Sequence, residues 1–394
     1  MTTTESEPAH RSVPTVSFTD AEAGAQRFAG SEDRTFKYFI PRRRKPSQYE
    51  DVTVEVQPDP RHYLSQGWLY AFADGTEGFP VEWTRLKAWG QDEHPPPRRA
   101  PGSGGAGYPW PATGWHEFRD PNEEWELTLY RYNADVVRQM TRNIEVAKQT
   151  KAFERWGLNW IRFVEQHVGA WMHVEHGLGM YVFIDAQRAA PTNMHNNAIS
   201  VNAMHKMRFA QDLALYNLSL SDEIPEFAGR AHLETWNKAM AWQGVRECVE
   251  RLTAIDDWAE AVFCTNVVFE PLIGELFRSR LVMQASAANG DFVTPTVVGA
   301  GEYDYAQRDL RYTRAIFELL SNDREFGADN REVMSEWIHT WVPRCLTAAR
   351  TLQPLWSQPD GKPTRFEDSL DASKARFVEL LGGLGLQPPK ELNQ

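Results

Sequence analysis

A glutamate followed three residues later by a histidine places a carboxylate and an imidazole on one helix face. Helical bundles hold a pair of metal ions with two such Glu-x-x-His pairs plus a glutamate from each of two further helices. The chain carries the pattern twice, as Glu7-Pro-Ala-His10 and Glu336-Trp-Ile-His339. The first lies in a polar, proline-containing tail that nothing holds, and the second stands alone in a late helical stretch. One pair does not make the site, so Glu336 and His339 read as surface or interface residues. His173 and His176 also share a helix face, near His167, Glu165 and Glu175. Closing a metal site there needs carboxylates at matched depth on a facing helix, and the following helix offers only Asp212. These histidines read as structural.

Other chemistries fare no better. Gly102, Gly104 and Gly107 match GxGxxG, but Pro101 and Pro109 flank the run. The strand and helix that would aim a helix N-terminus at a pyrophosphate are missing. Cys248, Cys264 and Cys345 are far apart and form neither a disulfide framework nor a CxxC. The sequence assigns no catalytic, cofactor-binding or metal-ligating residue.

The elements that carry these residues change character along the chain. Residues 1–33 read as a disordered tail. Residues 34–93 read as an extended arm: prolines at 41, 46, 58 and 60 break helices, and Val52, Val54 and Val56 alternate with polar residues. The cluster Arg42, Arg43, Arg44 and Lys45 in that arm suits an acidic partner. Residues 94–110 form a Pro/Gly-rich loop. Residues 111–355 form one helical domain, and residues 356–394 a loop and a late-docking amphipathic helix.

Long helical segments are expected near 124–154, 155–186, 195–220, 226–253, 256–288, 296–321, 328–355 and 369–384. Breaks fall at Pro191, at Ser221-Asp222 with Pro225, at Asn289-Gly290 and at Asn322-Asp323. Phe209, Leu213, Tyr216 and Leu220 recur at spacings of four, three and four, one buried helical face. Segments of 25 to 33 residues span roughly 40–50 Å. The fold class is all-α, a long-helix bundle of ferritin-like type with an extended N-terminal arm.

Composition excludes several roles. The net charge is −12, against a general nucleic-acid binder. No run approaches the roughly 20 apolar residues of a membrane span, and the N-terminus has no apolar signal core. A cytoplasmic protein is expected. Fifteen tryptophans hint at extensive subunit contact, or simply fill a helical core.

The segment AANGDFVTPTV, residues 287–297, resembles a junction in the soluble diiron monooxygenases that hydroxylate methane, phenol, toluene, alkenes and propane. In their large subunits such a turn joins the iron-bearing helices of the second half. Matching onward from Thr294 puts Tyr305 and Arg308 where the large subunit has its Glu-x-x-His pair. A looser match in HKMRFAQDLALY puts Lys206 and Phe209 at the first-half pair. Buried carboxylates without metals are costly, and cations with aromatic rings can fill the vacated space. Asp304 and Asp309 flank Arg308 as candidate partners. The stretch at 35–60 with Gln66-Gly-Trp-Leu-Tyr70 resembles the arm of the family's small subunits, propane-type above all.

The resemblance implies a non-catalytic small (beta) subunit of the hydroxylase, with no cofactor or metal in this chain. It implies two irons in a partner large (alpha) subunit within an α2β2 core. It further implies a coupling protein, and a reductase passing electrons from NADH through FAD and an iron–sulfur cluster. The implied substrate is a short alkane such as propane, with tetrahydrofuran, phenol or alkene oxidation as alternatives. Two rival classes are a stand-alone ferritin-like diiron oxidase and a helical interaction protein unrelated to oxygenases.

Overall fold

The structure, a computed structural model, describes residues 48–49, 84–90 and 114–393. The tail with Glu7 and His10, the basic cluster at 42–45, the valine alternation at 52–56 and the glycine run at 102–107 lie outside the described residues.

Grouping contiguous helical turns, the chain folds into α1 (Glu126–Gln149), α2 (158–188), α3 (Asn193–Glu223), α4 (Ala231–Lys238), α5 (Met240–Leu252), α6 (258–288), α7 (294–321), α8 (Gly327–Thr351) and α9 (Phe366–Gly383), with no strand among the described residues. The starts are set by short polar side chains. The Thr192 hydroxyl accepts from His195 N–H ahead of α3, and Asp257 accepts from Ala259 and Glu260 N–H ahead of α6.

The junction at residues 287–297 is a tight corner between α6 and α7. Gly290 takes a left-handed backbone at φ +72, which glycine adopts without strain. Asp291 accepts from the N–H groups of Val293 (2.8 Å) and Thr294 (3.0 Å) and from Trp160 Nε1 (2.9 Å).

The expected single helix at 226–253 is two. Ala239 is extended, at φ −69 and ψ 125. The Gln243 side-chain amide donates to Ala239 O (3.2 Å) and Trp236 O (3.3 Å), bridging the break. No glycine or proline marks this break, so no local signal announced it.

α2 and α3 form an antiparallel hairpin, as do α6 and α7, and the two hairpins face each other. α8 packs on α5 and α6, α9 on α6, and α1 lies along α3. The anticipated α3 face, Phe209, Leu213, Tyr216 and Leu220, is buried. Trp160, Trp171, Trp242 and Trp258 are each under 2 % exposed, so these indoles fill the core rather than an interface. Residues 84–90 of the arm bind this chain's own helices: Lys87 N–H donates to Asn330 Oδ1 (2.9 Å), and Asn330 Nδ2 donates back to Lys87 O (2.7 Å).

Three core helices widen locally to i→i+5 hydrogen bonding: Val164–Val168 and Leu178–Phe183 in α2, Cys264–Gly274 and Leu276–Val282 in α6, and Asp304–Asp309 in α7. α3 is regular throughout. Widened turns of this kind gather at the working centres of helical proteins, and here they surround the cluster described next.

Candidate functional site: a buried ionic centre

Where α2, α3, α6 and α7 converge, charge is buried in quantity. Lys206 of α3 reaches Glu175 of α2 (Nζ to Oε2 3.3 Å) and contacts Glu270 of α6. Arg278, one helical stretch beyond Glu270 on α6, takes three carboxylates at once. Its Nη2 donates to Glu270 (2.7 Å), its Nη1 to Glu175 (3.3 Å) and its Nε to Glu302 of α7 (2.8 Å). Trp171 Nε1 donates to Glu175 (2.6 Å). The Tyr305 ring lies 5.8 Å from Lys206 Nζ and 5.6 Å from the Arg278 guanidinium, within cation–π range. Its hydroxyl donates to Asn266 O (3.0 Å).

Burial alone would strip the proton from Lys206, but Glu175 and Glu270 outweigh it and raise its pKa. Burial would raise Glu270, but Arg278 and Lys206 overcome that and hold it down as a carboxylate. Glu175 goes the other way, raised because burial outweighs Lys206. A protonated amine clamped between carboxylates is no nucleophile.

A second ionic cluster lies one to two turns along the same helices. Arg308 bonds Asp304 (2.8 Å) and Glu124 (Nε to Oε2 3.0 Å) and stacks 4.0 Å from the Tyr132 ring. Arg208 contacts Asp212 and Asp304. His205 Nδ1 meets Asp309 at 2.6 Å. Burial would lower the His205 pKa, but Asp309 and Asp304 outweigh it and raise it. Of the two aspartates flanking Arg308, Asp304 pairs with it and Asp309 pairs with His205.

The matched ligand positions thus separate. Lys206 and Tyr305 meet in the first cluster. Phe209 packs against α7, where a Cβ built on Gly301 would run into its ring. Arg308 leaves for the second cluster. A lysine, a tyrosine, a phenylalanine and an arginine offer no anionic or imidazole ligand set, so these positions do not fit a metal pair. The buried carboxylates beside them, Glu175 and Glu270, are taken up by Lys206 and Arg278. Sequence reasoning missed Glu270, Arg278 and Glu302. The usable signal was charge inside the apolar run of residues 258–283, since charged residues are fully buried only when paired.

The histidines and the lone Glu-x-x-His pair do not converge. His167 accepts from Trp242 Nε1 at Nδ1 (3.0 Å) and meets Gln358 at Nε2 (2.7 Å), and burial lowers its pKa to about 4. His173 meets His232 (3.0 Å). Glu336 pairs on the surface with Arg85, and His339 with Glu391. Asp212 serves Arg208 and not His173 or His176. Among the described residues no three His, Cys, Asp or Glu side chains gather as a metal site. The cysteines are free and buried.

The long-helix bundle is of ferritin-like type, and salt bridges close its centre. The chain belongs to the methane/phenol/alkene hydroxylase family, whose profile matches residues 103–324. It is 50% identical to the propane 2-monooxygenase hydroxylase component small subunit of Rhodococcus jostii (strain RHA1), over 100% of both chains. It is 49% identical to the same-named subunit of Gordonia sp. (strain TY-5), over 98% of this chain and 99% of that one. Among solved structures, phenol hydroxylase from Pseudomonas sp. OX1 aligns with a TM-score of 0.66 at 17% identity, covering 98% of both chains.

Proposed function

We propose that the chain is the non-catalytic small subunit of the hydroxylase of a multicomponent monooxygenase that oxidises a short alkane such as propane. The observation that carries this reading is the substitution of Lys206 and Tyr305 at the matched ligand positions, in a chain half-identical to propane 2-monooxygenase small subunits. In this reading O2 activation and the two irons belong to the large subunit, in an α2β2 core. Electrons arrive from NADH through the FAD and iron–sulfur cluster of a reductase, a coupling protein regulates the reaction, and the assembly works in the cytoplasm. The small subunit holds the partner's helices in place, and the basic cluster at Arg42–Lys45 clasps the partner.

The test is co-expression with the cognate large subunit, recognised by two Glu-x-x-His motifs. Iron and NADH-dependent propane oxidation are expected in the purified complex, and no stoichiometric iron in this chain alone. Iron bound at about two per isolated chain would sink the reading. A truncation lacking residues 1–60 that co-purifies in full yield would remove the clasp.

A further inference from the structure

Two of the three cysteines, far apart in the sequence, meet in the fold. α5 and α8 run antiparallel and pack closely, and their register is fixed at two points. Thr351 Oγ1 donates to Ala241 O (3.1 Å). One turn on, a Cβ built on Gly244 would fall 2.8 Å from Ala348 Cα, so the two backbones leave no room for a side chain there. The next turn brings Cys248 of α5 opposite Cys345 of α8, and their thiols hydrogen-bond. Both are buried and free of any disulfide. Their hydrogen bond, and then burial, push the Cys345 pKa well above the ordinary thiol range. Cys264 on α6 acts on Cys345 electrostatically rather than by hydrogen bond.

We propose that Cys248 and Cys345 are an oxidative modification site, where hydrogen peroxide converts the two thiols into a disulfide that ties α5 to α8. The inference goes beyond the small-subunit reading and does not depend on it.

The backbone suits the bond. A disulfide needs Cα atoms about 4.4–6.8 Å apart, which two helices reach only where small residues let them cross closely. Ala241 and Gly244 facing Thr351 and Ala348 make that crossing one turn away. The thiolate is the nucleophile, and a raised pKa keeps it scarce, so the reaction is slow and awaits local opening of α5. That helix has 13 residues and follows the extended Ala239, with Met240 80% exposed at its first position. Short elements with open ends part from a core before the core unfolds.

In the opened state the Cys248 sulfur attacks one peroxide oxygen. The S–O bond forms, the O–O bond breaks, and the departing hydroxide takes the thiol proton as water. On reclosure the Cys345 sulfur attacks the Cys248 sulfur. The S–S bond forms, the S–O bond breaks, and hydroxide leaves with the Cys345 proton as a second water. The thiols lose two electrons in all, and the peroxide is reduced to two waters. The new bond closes a loop of about 100 residues and so constrains the unfolded chain.

The experiment uses the full chain, reduced, freed of reductant and kept folded, as wild type, Cys248→Ser, Cys345→Ser and Cys264→Ser. Each is treated with excess hydrogen peroxide, its remaining thiols are blocked with N-ethylmaleimide, and it is digested without reduction for mass spectrometry. Wild type and Cys264→Ser are expected to yield a peptide pair linking Cys248 to Cys345. They are expected to melt roughly 2–5 °C higher than before oxidation and to revert with a phosphine reductant. Cys248→Ser and Cys345→Ser are expected to show neither change. The linkage in wild type decides the question even where a variant fails to fold. Wild-type thiols that all remain open to N-ethylmaleimide after prolonged treatment overturn the proposal. So does over-oxidation to sulfinic acid without linkage, a pairing that includes Cys264, or a linkage that forms only in urea-unfolded protein.

Discussion

Replacing Lys206 by methionine removes one cation and keeps most of the side-chain volume. Its ammonium is 3.3 Å from Glu175 and in contact with Glu270. Without it, three carboxylates (Glu175, Glu270 and Glu302) share the single guanidinium of Arg278. Breaking a buried pair by deleting one partner costs about 3–5 kcal/mol. At about 1.2 °C per kcal/mol for a chain of this size, Lys206→Met is expected to melt roughly 4–6 °C below wild type at pH 8. The pH dependence identifies the cause. Glu175 already has a raised pKa, and losing Lys206 raises it further. An acid raised in the folded state contributes stability that is fully present below its unfolded pKa and lost as pH rises through the folded one. The deficit of Lys206→Met must therefore shrink as pH falls from 8 towards 5. Wild type has no matching change from Lys206, whose raised pKa places its loss above pH 10.5. Adding Glu175→Gln to Lys206→Met is expected to recover most of the loss at pH 8. Thermal melts of the four proteins in a double-mutant cycle across pH measure this. A Lys206→Met protein as stable as wild type at pH 8, or a deficit independent of pH, refutes the reasoning.

Lys206→Ala opens a gap between Glu175 and Glu270, so about 1 mM Mn²⁺ is expected to raise the melting temperature of this variant and not that of wild type; equal shifts would show that the carboxylates are not poised for a cation. Glu275 has its pKa pushed up to about 7 by burial and by Glu302, so it contributes stability below about pH 4.5 that is lost as pH rises through 7. Glu275→Gln is therefore expected to exceed wild type by roughly 1–3 kcal/mol at pH 8 and not at pH 5, read from urea midpoints. Gly301→Ala sets a methyl into the Phe209 ring and is expected to cost roughly 1–3 kcal/mol, with a smaller cost when Phe209→Leu accompanies it.

The helical segmentation was legible because its breaks are written in residues whose backbone chemistry is unambiguous. Thr192 and Asp257 cap the helices they precede, and Gly290 turns left-handed where Asn289-Gly290 stood. The division at Ala239 was not legible, since its cause is packing around Trp236 and Gln243 and not local propensity. The centre was half legible. Tyr305 was placed by matching onward from the AANGD–TPTV junction and Lys206 by the looser match in HKMRFAQDLALY, and the two meet as a cation and a ring. Arg308 was assigned to the same space but bonds Glu124 and Asp304 instead. The cation that joins Lys206 on Glu175 and Glu270, and also takes Glu302, is Arg278. A long side chain can reach across helices, and linear spacing does not say in which direction. The i→i+5 turns around Glu270 and Arg278 shift the helical phase further, so a regular 3.6-residue count misplaces both.

Why such a centre retains carboxylates at all follows from what salt bridges do in a core. A buried ion pair adds little net stability over a well-packed apolar substitute, but it is intolerant of displacement. Lys206 on α3 reaches α2 and α6, and Arg278 on α6 reaches α2 and α7. Sliding any of these helices by one turn, about 5.4 Å, would break bonds near 3 Å and strand a charge at a cost of several kcal/mol. An aliphatic layer would repack after the same slide. Arg208, two residues from Lys206 with its ends on Asp212 and Asp304, applies the same constraint. The two clusters therefore fix the height and rotation of α3.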